Sequence, residues 1–409
     1  MCQLIRQAAK HVSKKVYMTE IDSKAPPKFS NGVYFDNAAT SHPKPPSVYE
    51  AINYTLHHVG ANPGRGEHSL SRSANRIIFE ARETIAEFFN IPDSRNIVFT
   101  SNGTEALNLA LKGLLKPGDH VITSGMEHNS VVRPLNSLKN DGVKVTVVQC
   151  DKQGKLNSES VLKEIRKNTR LIVTTHASNV TGTILPVEEI SEIAAKKGIP
   201  FLVDAAQTAG TIPIDVMNSK ISMLACPGHK GLLGPQGTGF LYISEGLNLK
   251  PLIEGGTGSN SELSEQPDFL PDRFQSGTLN TLGIAGLKAG IEYISKKSIQ
   301  AIKKHEDMLS EIFLNTLKEV KRVRIYGPLS SKEKTAVVSF NIEGKDPADI
   351  ATALDRKYQI MVRVGLHCSP CAHKTIGTFP EGTIRTSFSI FNTIQETDYF
   401  IDSLKKIVG

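Results

Sequence analysis

The sequence has no apolar run approaching the roughly 20 residues a helix needs to cross a bilayer, so no membrane-spanning helix is expected. It also has no secretory hydrophobic region near its start. Cysteine is scarce and odd in number: Cys2, Cys150, Cys226, Cys368 and Cys371 in 409 residues. That excludes a disulfide scaffold, favours a reducing, cytoplasmic setting, and leaves any cysteine that matters to act through its thiol. Lys and Arg exceed Asp and Glu by 48 − 41 = 7, but no basic tract gathers the excess. The charge therefore reads as solubility plus affinity for small anions, not as a nucleic-acid footprint. Internal repeats and low-complexity segments are absent too.

What is present is an ordinary globular balance, 39% hydrophobic and 22% charged. Such a chain can bury a large core. Its length predicts two or three domains. Residues 1–18 carry Arg6, Lys10, Lys14 and Lys15 with no acid before Glu20. This stretch is open to two readings, an organelle-targeting segment or a basic tail or added helix.

From Asn96 to Ile243, short β-branched runs alternate with amphipathic stretches. Strands are expected at Asn96–Thr100, His120–Thr123, Val143–Gln149, Leu171–His176, Pro200–Asp204 and Thr238–Ile243, with another strand-like run at Ile221–Cys226. Helices are expected at Glu105–Leu115, Ser158–Lys167 and Pro186–Lys197. That alternation predicts an α/β fold with a mostly parallel central sheet covered on both faces, whose ligands bind at the carboxyl ends of the strands. An irregular Gly- and Pro-rich stretch from Leu252 to Asn280 precedes two helical patterns, Thr281–Lys297 and Lys304–Val320. The remainder reads as a compact α+β unit with strands at Ala336–Asn341, Ile360–Val364 and Thr383–Ser389. The expected division is an N-terminal extension at 1–30, a large cofactor-binding domain at 31–295 and a small C-terminal domain at 296–409.

The most informative segment runs from Leu202-Val203-Asp204 to Gly228-His229-Lys230. An acid at a strand's carboxyl end, Gln207 three residues later and a lysine at 230 − 204 = 26 residues form the set that pyridoxal phosphate requires. The lysine forms a Schiff base, and the aspartate keeps the pyridine nitrogen protonated so that the ring is an electron sink. Taken singly, Asp204 is also a helix cap and Lys230 a solvated side chain. A phosphate site is expected at Thr100-Ser101-Asn102-Gly103-Thr104-Glu105, where a strand, a glycine turn and a helix start converge backbone N–H groups on an anion. His128 could stack on the pyridine or simply cap a helix. Asn179 ends a strand and offers an amide to the ring oxygen.

Phe35-Asp36-Asn37-Ala38-Ala39-Thr40, Ser101-Asn102-Gly103-Thr104-Glu105-Ala106, Val203-Asp204-Ala205-Ala206-Gln207, Gly228-His229-Lys230 and Gln275-Ser276-Gly277-Thr278-Leu279-Asn280-Thr281 together resemble the class V aminotransferases. Within that fold type I group the chain is most similar to the cysteine desulfurases and selenocysteine lyases. The resemblance implies that Lys230 is the Schiff-base lysine, Asp204 the pyridinium partner, His128 the stacking ring, and Asn179 and Gln207 the ring-oxygen contacts. It implies that Gly103, Thr104 and His229 bind the phosphate and that Thr278 reaches the phosphate of a neighbouring subunit in a homodimer with shared active sites. Pro227 departs from the family pattern, where a hydroxyl residue commonly binds the phosphate.

The reaction depends on the C-terminal unit. Arg363-Val364-Gly365-Leu366-His367-Cys368-Ser369-Pro370-Cys371-Ala372-His373 places a cysteine beside a histidine and near an arginine, surroundings that favour thiolate. In the desulfurase reading Cys368 takes sulfur from L-cysteine as a persulfide, L-alanine leaves, Lys230 carries protons and a sulfur-acceptor protein completes the cycle. Arg385 resembles the family's arginine for the substrate carboxylate. Asn37 and Arg363 are further candidates for that pocket, with a turn and an ion pair as their other readings. Cys371 is a bystander or a thiol that receives or resolves the persulfide. A zinc site is disfavoured, because four ligands within seven residues suit a tetrahedron poorly. The competing readings are a selenocysteine lyase acting on L-selenocysteine, another class V aminotransferase or lyase, and an inactive scaffold in a sulfur-assembly complex.

Overall fold

A computed structural model of the chain describes residues 32–409 apart from 65, 67, 261 and 263. The expected N-terminal extension, with its basic segment and Cys2, lies outside the described residues. The central layer is a seven-stranded sheet. Its strands follow β1 (Val33–Tyr34), which lies elsewhere, and are β2 (Ile97–Thr100), β3 (His120–Ser124), β4 (Lys144–Val148), β5 (Thr169–Thr175), β6 (Phe201–Asp204), β7 (Met223–Pro227) and β8 (Gly239–Ile243). Their order across the sheet is β2-β8-β7-β6-β5-β3-β4. Pairings from β4 through β7 are parallel, and β8 runs antiparallel to both its neighbours. Leu171, Ile172, Val173, Phe201, Leu202 and Val203 are each 0% exposed, which explains why the central strands read as continuous apolar runs: helices cover both faces.

Each expected strand of this sheet is present within a few residues. The helices move more. The second of the two long helices spans Ile299–Leu317, because Ser298 caps it by accepting from Ala301 N at 3.2 Å. The helix expected over Ser158–Lys167 stops at Lys163. Two helices outside the β/α alternation, Pro46–His58 and Ser69–Phe89, pack against Thr281–Lys297.

The C-terminal unit carries a four-stranded sheet of β9 (Val323–Tyr326), β10 (Val337–Ile342), β12 (Arg363–Gly365) and β13 (Thr383–Ser387), in the order β12-β13-β10-β9. The strand expected over Ile360–Val364 divides into β11 (Ile360–Met361) and β12, and β1 pairs in parallel with β11. Val33 and Phe35 are accordingly buried with Phe313, Phe340 and Phe400 in the C-terminal core. This long-range pairing lays the stretch that follows β1, residues 36–44, across the seam between the two sheets.

Candidate active site

The anion end of the site forms where β2 gives way to the helix Gly103–Leu114. Asn102 caps that helix through its side-chain oxygen, which accepts from Glu105 N at 2.9 Å, and Glu105 reaches back to Ser101 N at 2.7 Å. The leading N–H groups at Gly103 and Thr104 have no acceptor within the helix, so they face outward as an anion cradle. Thr104 Oγ1 shares a hydrogen bond with Ser130 Oγ at 2.7 Å. Pro227 closes the cradle from β7: a Cβ on Gly103 would lie 3.2 Å from its Cδ.

A cavity of about 90 Å³ brings together Gly103, Thr104, His128, Asn179, Asp204, Gln207, His229 and Lys230, eight of the expected site residues. Burial raises the Asp204 carboxyl above its usual range, opposed by the Ala206 N–H and by Lys230. Burial likewise lowers Lys230 to about 8, with Asp204 opposing. Desolvation wins in both cases, so the cavity disfavours the charged form of each group until a charged partner arrives. His229 Nδ1 is buried without a partner on the same wall. A protonated ring nitrogen at Asp204 and a phosphate near His229 would satisfy these groups, so the residues fit pyridoxal phosphate. His128 Nδ1 accepts from Ser130 N at 3.0 Å, and burial followed by the nearby cations, Lys230 first, lowers the ring to about 4. It is both helix cap and neutral cavity wall.

Sequence reasoning missed Glu127. This 0% exposed carboxyl accepts from Thr175 N at 3.0 Å and from Ser124 Oγ, and burial pushes it up to about 8. Its only sequence signal was its position beside His128.

The cysteine loop is fastened to the cavity from outside its own domain. Asn179 Nδ2 donates to the His367 carbonyl at 2.7 Å, and Ser369 Oγ donates to Asn179 Oδ1 at 2.6 Å. Asn129 N donates to the Cys368 carbonyl at 2.9 Å. These bonds hold His367 and Cys368 in left-handed backbone, φ 49° and 59°, conformations that non-glycine residues avoid unless their surroundings impose them. Cys368 is exposed, whereas Cys371 is half-buried and burial raises its thiol. Cys150 is half-buried and Cys226 fully buried, both as free thiols. The rings of His367 and His373, 5.4 Å apart, are both driven toward the neutral form by burial. Among the described residues no group of three or more His, Cys, Asp or Glu side chains could hold a metal ion.

Arg385 is 2% exposed and paired with Asp36, its Nη2 2.6 Å from Asp36 Oδ1. β13 buries this pair's arginine, so it is not a surface salt bridge. Arg363 Nη1 lies 4.0 Å from the other Asp36 oxygen. Asn37 sits on the strap between the sheets, where Nδ2 donates to Ser387 O at 2.9 Å and to Asn392 Oδ1 at 3.1 Å, while Oδ1 accepts from His42 N. Its amide is therefore committed to the fold and not offered to a ligand. Gln207 Nε2 donates to Ala38 O at 3.0 Å. Thr278 stands apart from the 90 Å³ cavity and lines two others, one with Arg82 and Gly277 and one with Thr100 and Ser101.

The class-V aminotransferase family model matches residues 33–400. A probable cysteine desulfurase of Methanothermobacter thermautotrophicus is 38% identical over 390 residues, covering 94% of this chain and 96% of that protein. A cysteine desulfurase of Haloferax volcanii is 33% identical, covering 91% and 88%. The apo structure of a cysteine desulfurase from Thermococcus onnurineus matches with a TM-score of 0.87 at 36% identity, covering 93% of this chain and 95% of that one. A cavity with a lysine, an aspartate and an anion cradle at the strand ends, together with agreement over nearly the whole length, places this chain in the class-V aminotransferase family.

Proposed function

We propose that this protein is a pyridoxal phosphate-dependent cysteine desulfurase, converting L-cysteine to L-alanine and retaining the sulfur as a persulfide on Cys368. One observation carries the reading: an exposed cysteine is clasped, through Asn179, to the same cavity that holds Lys230 and Asp204. Cys368 is near enough for its charge to act on Lys230. The naming of 33–38% identical relatives as cysteine desulfurases supports the same reaction.

In this reading Lys230 anchors the cofactor and Asp204 hydrogen-bonds its ring nitrogen. Gly103, Thr104 and His229 hold the phosphate, while His128 packs on the ring and Asn179 and Gln207 direct their remaining N–H groups to the ring oxygen. When bound, the cofactor supplies the electron sink that stabilises charge as the substrate's C–S bond breaks. Arg385 orients the substrate carboxylate, with Arg363 adding positive charge at the pocket mouth. The Cys368 thiolate attacks the substrate sulfur, so that an S–S bond forms as the C–S bond breaks. Lys230, with a pKa lowered to about 8, moves protons near neutral pH. Exposure of Cys368 suits transfer to an acceptor protein, and the position of Thr278 away from its own cavity suits a homodimer in which it completes the partner's site.

The test is product analysis with L-cysteine and L-selenocysteine on purified, cofactor-loaded protein. Equimolar L-alanine and one extra sulfur on the Cys368 peptide are expected from L-cysteine. Alanine from L-selenocysteine alone would make the enzyme a lyase instead.

A further inference from the structure

The buried arginine read above as the substrate's carboxylate partner already holds a carboxylate. Arg385 Nη2 is 2.6 Å from Asp36 Oδ1, Nη1 donates to the Asn179 carbonyl at 3.0 Å, and the buried Nε has no partner. The other Asp36 oxygen lies 4.0 Å from Arg363 Nη1. Asp36 is fixed there by its backbone. It forms a bridge with Ser387, whose N donates to Phe35 O at 2.7 Å and whose Oγ accepts from Ala38 N at 2.8 Å. The Tyr34 hydroxyl adds a bond to the Asp36 carbonyl at 3.1 Å. One carboxylate is thus held between two guanidinium groups, and the buried Arg385 Nε has no partner.

The surrounding titratable groups do not offset that charge. The Tyr34 hydroxyl is pushed up to about 12 by burial and then by Asp36, and burial drives the His128 and His367 rings toward neutrality. Lys230 is committed to the cofactor in the proposed function. Two guanidinium cations and one carboxylate therefore leave a single fixed positive charge where the substrate's carboxylate docks. Without Asp36, Arg385 would be a buried cation with no counter-ion, a state that desolvation strongly disfavours.

We propose that Asp36 is a specificity-determining residue: it neutralises one of the two arginines, so that the pocket accepts a ligand with one carboxylate and discriminates against a ligand bearing a second anionic group. The inference rests on the reading of Arg385 as the substrate-carboxylate residue. Asp36 also keeps Arg385 paired and oriented in the substrate-free protein.

The experiment measures binding of L-alanine and L-aspartate to the cofactor-loaded protein by calorimetric titration, with thermal shift as a second readout, in wild type, Asp36→Asn, Arg363→Gln and the double variant. Asp36→Asn should shift relative affinity toward L-aspartate by about tenfold, the scale of one added charge at a partly desolvated site. Arg363→Gln should weaken L-alanine binding and disfavour L-aspartate further by a similar factor, and the double variant should return near wild type. If Asp36→Asn does not fold, Arg363→Gln alone decides, because its side chain is 42% exposed and its loss leaves the core intact. Unchanged ligand preference in the variants, or equal weakening of both ligands, would overturn the role of Asp36. L-Alanine binding that is indifferent to Arg385→Lys would instead remove the substrate-site reading, and this inference with it.

Discussion

The proposed cofactor end of the site and its proposed nucleophile end are assembled differently. Asp204 ends β6, His128 and Lys230 come shortly after β3 and β7, and the order of those strands converges them. Cys368 and Arg385 instead depend on single side chains from distant segments. Asn179 bonds to His367 across 188 residues, and Arg385 pairs with Asp36 across 349. The first end is therefore robust to the loss of any one hydrogen bond, whereas the second is tuned by individual contacts. A sheet delivers backbone positions at fixed spacing, but a loop needs its own ties to hold an unfavourable conformation.

The largest expected effect would break the cofactor end outright. Lys230→Ala should abolish the absorbance of covalently held cofactor and lower L-alanine formation by several orders of magnitude. A variant that keeps both would remove Lys230 from the chemistry. Cys368→Ala separates the two ends: cofactor absorbance stays, while L-cysteine turnover falls by roughly a hundredfold or more, since the nucleophile is gone but binding is intact. Unchanged sulfide release would end the persulfide route.

A smaller change tests whether the loop ties matter. Ser369→Ala removes the donor to Asn179 and should lower kcat by about tenfold, leave KM nearly unchanged and cost about 1–3 kcal/mol of stability, with Ser369→Thr restoring most of the loss. An equal change in KM would point to damage beyond the loop.

The smallest effect concerns the seam between the two units. Glu306, 6% exposed, is raised to about 8 by burial. The native state then holds a proton that the unfolded chain releases near pH 4.5, so this group's stabilising contribution is complete below that pH and is lost as pH rises through about 8. Glu306→Gln should flatten the decline, raising thermal stability at pH 8 relative to pH 5 by on the order of 1–2 kcal/mol. Identical pH profiles would show that Glu306 is already ionised.

The same contrast governs what the sequence made legible. The central strands declared themselves because strands buried on both faces are written in continuous apolar runs, and the acid, amide and lysine at their ends carry chemistry recognisable from spacing. Asp36 did not, although it stands inside the Phe35–Thr40 motif. An aspartate in a turn is ambiguous until the fold shows which cation it faces. Asn37 was an equally open candidate, and the structure spends its amide on Ser387 and Asn392. Glu127 had no pattern of its own, because its burial depends on β3 and β5 closing over it.

Sequence alone thus determined the layered α/β class, the lysine and aspartate of the cofactor cavity, and the candidate nucleophile, since periodicity and residue chemistry are local properties. Tertiary structure decided that β1 pairs with β11 of the C-terminal unit, that Asn179 clasps both flanks of Cys368, and that Arg385 is buried against Asp36. Those outcomes come from contacts between segments hundreds of residues apart, whose energies depend on burial and geometry that no local window contains.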